Sequence, residues 1–92
     1  MLTEKAKKDF VYQCVLIYEG FVSLPETCQN ALIIDWFDSE GIYISIQPKR
    51  IISEWIFDVL INEEIDSVWS DRQEATTEAI KKANEIYNKL KK

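Results

Sequence analysis

"IISEWIFDVLI", residues 51–61, decides the fold. Read as a strand, it places Trp55, Phe57, Val59 and Ile61 on one face and Glu54, Ile56, Asp58 and Leu60 on the other. Read as a helix, it gathers Ile52, Trp55, Ile56, Val59 and Leu60 on one side. Periodicity alone does not separate the two, but β-branched and aromatic residues favour a pleated, half-buried surface. A second consideration points the same way. "IYISI", residues 42–46, alternates as a strand does, and one strand needs a partner.

Outward from this segment the elements follow. Upstream, "ALIIDWFDSEGIYISI", residues 31–46, changes period at Gly41. Ser23 with Glu26 three residues on forms a capping box, Pro25 suits a first helical turn, and the expected helix runs over 24–39. Cys28, Leu32, Ile33, Trp36 and Phe37 make its broad apolar face, with Ala31 and Ile34 outside it. Pro48 is expected to end the following strand at 47, leaving Lys49 and Arg50 in a connection. Downstream, "NEEID" reads as a polar turn and "SVW" as a short third strand. Ser70 and Gln73 repeat the box pattern before a helix over 71–90, striped by Ala75, Ala79, Ile80, Ala83, Ile86, Tyr87 and Leu90. At the N-terminus, 3–19 reads as a helix capped by Thr3 and stopped by Gly20, although residues 9–19 also suit a strand. The fold class is therefore α+β: two N-terminal helices, a small antiparallel sheet of two or three strands and a long C-terminal helix. Trp36, Ile44, Phe57, Ala79 and Ile86 are the expected core. Ninety-two residues form one domain, 1–92.

The pieces "ALIIDWFDSEGIYISI", "SEWIFDVLI" and "WSDRQEATTEAIKKANEIYNKL" are together similar to small uncharacterised proteins of gut Bacteroides and their phages. Those proteins share a Trp-bearing helix, a Gly-Ile-x-Ile-x-Ile strand, a Trp-bearing strand and a helix opened by a Ser-x-x-x-Glu-Ala step. The resemblance spans 24–90 and implies a strand at 53–61 and a mobile-element setting. These are packing motifs, and they imply no activity.

Chemistry is sparsely supplied. The chain has no His, which leaves carboxylates as the candidate acid–base groups. Asp35 and Asp38 lie three apart on a helix, while Glu54 and Asp58 lie ~13 Å apart on a strand, too far for a glycosidase pair. If an active site exists, these four must converge. Glu63, Glu64 and Asp66 lack the spacing of a calcium loop. Cys14 and Cys28 read as reduced, buried thiols, and no metal or cofactor is expected. Gly20 and Gly41 stand alone, so no phosphate loop is present.

The net charge is −5, and Lys49 and Arg50 are the only bases of residues 9–71. That disfavours nucleic acid, which is held by displacing counterions with Lys and Arg. An α-β-β-β-α order also resembles double-stranded RNA binders, but the last helix opens with Asp71, Arg72 and Glu74. An acidic chain could instead imitate nucleic acid and inhibit an enzyme that binds it. No apolar stretch reaches the ~18 residues of a span and no leader is visible, so the expected location is the cytoplasm. The leading expectation is a protein-interaction or assembly module, non-enzymatic and possessing a homodimer contact. Its expected surface is Tyr12, Leu16, Ile34, Ile56 and Leu60, apolar positions in excess of what one small core covers.

Overall fold

The computed structural model describes residues 2–13 and 18–90. Its elements are α1 (Glu4–Gln13), α2 (Tyr18–Val22), α3 (Glu26–Ser39), β1 (Ile44–Ile51), β2 (Glu54–Ile61), β3 (Glu64–Trp69) and α4 (Arg72–Leu90). The α+β class holds, with an antiparallel sheet in the order β1-β2-β3. All helix packing lies on one side of that sheet.

The joint at Gly41 has a complete backbone account. The N–H of Gly41 donates to Asp38 O and that of Ile42 to Phe37 O, at 3.1 and 2.9 Å. This is the Schellman pattern, and it requires a left-handed residue, which Gly41 supplies at φ 87°. Phe37 and Ile42, the two residues the motif brings together, are both buried. The chain thus leaves a helix and enters the sheet with its apolar run continuous through the turn.

β2 is the central strand, and its two faces divide as its alternation predicts. Val59 and Ile61 are buried, and Phe57 packs beside them. From β1, Ile44 and Ile46 join this inner face opposite Ile61 and Val59. α4 closes over it with Ala75, Ala79 and Ala83, none of which retains exposure. Small side chains at this spacing let the helix backbone approach the sheet closely. Above α4, Trp36 lies 5.0 Å from Tyr87 and 5.5 Å from Phe10, ring centre to ring centre. α1 is fixed by two asparagines of α4. Asn84 Oδ1 accepts from the Thr3 N–H and Asn88 Oδ1 from the Ala6 N–H, at 2.8 and 2.7 Å. These are donors that a helix start leaves unpaired.

Several expectations are corrected. The strand does not end before Pro48. It runs on to Ile51 and takes Lys49 and Arg50 with it, because β1 is an edge strand in which a missing N–H costs no ladder bond. Neither serine closes its capping box. α3 begins after Pro25 with no side-chain cap, while Ser23 Oγ donates to Gly20 O. At α4 the cap is Asp71, whose Oδ1 accepts the N–H of Gln73 at 2.7 Å. Gly20 does not stop a helix; it lies inside α2. Of the helix expected over 3–19, Glu4–Gln13 is helical and 14–17 lie outside the described residues, and Thr3 accepts from Asn84 through its hydroxyl. Cys28 is exposed, not buried, and Cys14 lies outside the described residues. Of the expected core, Trp36, Ile44 and Ala79 are buried, while Phe57 and Ile86 are partly covered at its margin. Leu90, the last residue of the predicted stripe, is exposed.

Candidate functional site

With every helix on one side, the other face of the sheet is open. Strand alternation sends Ser45, Gln47, Lys49 and Ile51 of β1 to that outer face, against Leu60, Asp58, Ile56 and Glu54 of β2. β3 adds Val68 opposite Asp58 and Ile65 opposite Leu60. The outer face therefore carries Ile51, Ile56, Leu60, Ile65 and Val68, with Asp58 near its middle. Ile65 is 65% exposed and Val68 51%. Buried in a partner, each such side chain would contribute about 1.5–3 kcal/mol.

The edges are treated differently from the face. β1 presents Pro48 and Lys49 along its free edge, and both oppose pairing with another strand. β3 carries Glu64 and Asp66 together with a register shift opposite Val59/Leu60, an irregularity that twists an edge away from a would-be partner. Strand addition is thus discouraged at both edges, while nothing among the described residues covers the face between them.

The two ends of the sheet differ in charge, although by register Arg50 and Glu64 belong to its inner side. At the β1–β2 hairpin lie Lys49, Arg50 and Glu54. At the β2–β3 turn lie Glu63, Glu64 and Asp66, with no base among them. The hairpin end is also the most apolar tip of the molecule. Ile52 is 94% exposed at φ 57°, a left-handed conformation costly for a β-branched residue. Beside it, Trp55 is half exposed and Arg50 stacks over its ring at 6.0 Å.

Other arrangements hold less. The four carboxylates do not converge: Asp35 and Asp38 are exposed on α3, whereas Glu54 and Asp58 belong to the outer sheet face. No group of three or more His, Cys, Asp or Glu among the described residues is placed to hold a metal. The most perturbed groups serve packing. Tyr87, buried beneath α1, donates to Asp9 Oδ2 at 2.6 Å and to Glu40 Oε1 at 3.1 Å. Burial, and then those two carboxylates, push its phenol well above its usual range. The same hydrogen bond, with Lys5 next, holds Asp9 below the usual carboxylate range. Lys5 also reaches Asp9 directly, at 3.0 Å. Among the described residues no helix is long and apolar enough to cross a membrane.

The structure brings two of the five expected surface residues together, Ile56 and Leu60. Tyr12 is exposed on α1, away from the sheet, and Ile34 packs against the core from α3. Leu16 lies outside the described residues. Sequence reasoning missed Ile65 by taking "NEEID" as turn throughout, and left Val68 in the short strand "SVW" without assigning it to the surface. The actual turn is Asn62–Glu63, with both residues at positive φ, and Ile65 already belongs to β3. In comparisons with known proteins, the chain matches no family model, no curated protein and no solved structure.

Proposed function

We propose that this chain is a protein-interaction module, acting without catalysis or cofactor, whose contact surface is the outer face of its sheet. One observation carries the reading: the helices cover one face only, both edges are guarded against strand addition, and the remaining face holds five large apolar side chains. Solvating such a face gains a monomer nothing, whereas a partner removes it from water. The Asp9–Tyr87–Glu40 cluster is assigned to helix docking, since its groups bond one another.

The test is affinity capture from cells that make the protein, using the wild-type chain and a Leu60→Glu/Val68→Glu variant. Circular dichroism holds the fold constant between them. Capture of a defined protein that falls at least tenfold with the variant is expected. Equal capture by both forms would remove the outer face as the contact surface.

A further inference from the structure

The β1–β2 hairpin runs past the third strand. β3 ends at Trp69, opposite Phe57. The rows Ile51–Glu54, Arg50–Trp55 and Lys49–Ile56 therefore form a two-stranded ribbon, closed by Ile52 and Ser53. At ~3.4 Å per residue it projects about 10 Å beyond β3. Its turn is built against local preference. A two-residue hairpin loop with positive φ at its first position alone calls for glycine there, yet Ile52 holds φ 57°. The other hairpin places Asn62, a residue tolerant of that region, at the equivalent position. A β-branched side chain kept in a strained conformation and left in water marks a position retained for use.

We infer that this tip is a lipid-contact site, by which the protein docks on the surface of an anionic bilayer. The inference turns on Ile52 and Trp55, which do not belong to the outer sheet face, and it stands apart from the role of that face.

The distribution of side chains selects this occupant. Apolar groups lie at the apex, in Ile52, and on both sides of the ribbon, with Trp55 on the inner side and Ile51 on the outer. The bases are divided in the same way, Arg50 inward and Lys49 outward. A rigid partner meets one side of such a ribbon, whereas a fluid interface surrounds it. The order along the ribbon also fits. Ile52 leads, Arg50 and Trp55 stand in the second row, and Lys49 in the third. Interfacial elements bury their apolar groups ~5–10 Å deep, with Trp at the headgroup level and Lys and Arg reaching back to the phosphates. Neither base forms an ion pair among the described residues, and Arg50 rests over the Trp55 ring. Glu54 is the ribbon's one acid and opposes the contact. The net charge of −5 opposes it as well, but that field is screened over ~8 Å at physiological salt, so the ribbon's own charges govern. With so few apolar groups the binding is weak, half complete at lipid on the order of a millimolar.

Vesicle flotation at 150 mM salt tests it, with vesicles of phosphatidylcholine alone and with one third phosphatidylglycerol. Thermal melts serve as fold controls. Wild type is expected to float with the anionic vesicles and several times less with the neutral ones. Ile52→Gly/Trp55→Ala is expected to lose at least tenfold in binding while the Ile52→Gly change relieves the turn. Lys49→Glu/Arg50→Glu removes the preference for anionic lipid, and Glu54→Gln strengthens binding severalfold. Absence of wild-type binding to either vesicle overturns the lipid surface and leaves the tip to a pocket in another protein. Binding that the Ile52→Gly/Trp55→Ala variant retains, or equal binding of wild type to both vesicles, also overturns the inference.

Discussion

Trp36→Ala is expected to cost about 3–5 kcal/mol, the range for truncating a buried aromatic. Trp36 is 6% exposed and stands where three helices meet. Its ring contacts Phe10 of α1, Phe37 of α3 and Tyr87 of α4, and its indole N–H donates to Gln13 Oε1 at 3.0 Å. Alanine would leave a cavity that none of these rings can fill, and an amide without its partner. A domain of this size is stabilised by only about 5–10 kcal/mol, so the variant loses much of its margin. The melting midpoint should fall by roughly 15 °C or more in a thermal scan. Trp55→Ala is the informative contrast. Trp55 is 54% exposed at the hairpin tip, and its loss should cost under about 1 kcal/mol. Equal costs at the two tryptophans would contradict the placement of the core.

The second large effect belongs to Tyr87. Tyr87→Phe keeps the ring packing and removes only the hydroxyl that bridges Asp9 and Glu40. The expected cost is about 1–3 kcal/mol at neutral pH, the range for a hydrogen bond to charged groups. The pH dependence identifies its origin. The folded state holds the phenol protonated above its ordinary value of 10.0. Its contribution is therefore complete below pH 10 and declines as pH rises towards the folded value, because the unfolded chain ionises first. Asp9 acts at the other end. Its folded value lies below the ordinary 3.8, so its contribution is present above that pH and is lost as acid titrates the folded carboxylate. Denaturant melts of wild type between pH 9 and 11 should lose stability, and the loss should flatten in the variant. A parallel decline in both proteins would assign the alkaline effect to other groups.

How much of this was legible in the sequence depends on the range of the interactions involved. The strand at β2 could be read because its β-branched and aromatic content suits a pleated surface and the strand at 42–46 needed a partner, although periodicity alone left helix open. The long C-terminal helix could be read because its alanines recur at helical spacing. Pro48 misled because a proline stops a central strand but not an edge strand, and position in the sheet is a tertiary property. The capping boxes misled for a local reason: Asp71 offered a carboxylate acceptor one residue closer to the helix, while Pro25 took the cap position of α3. The Tyr87 cluster left no local signal, since its partners lie 78 and 47 residues away in sequence. Of the outer face, Ile56 and Leu60 could be read from strand pattern. That the face is open could not be read, because it depends on every helix lying on one side. The displaced alternation between Ile65 and Val68, caused by the extra residue in β3, hid the rest.

The most direct test of the open face as the contact surface is site-specific photocrosslinking in cells that make the protein. p-Benzoylphenylalanine is placed at Ile65 in one experiment and at Tyr12 in another. Both positions are exposed, at 65% and 82%, but only Ile65 lies on the outer sheet face. A defined protein adduct at position 65, absent at position 12, is the expected result. For a second copy the adduct would run at twice the 10.8 kDa of the chain. Failure to crosslink at position 65, or the same adduct in equal yield at position 12, would contradict the account.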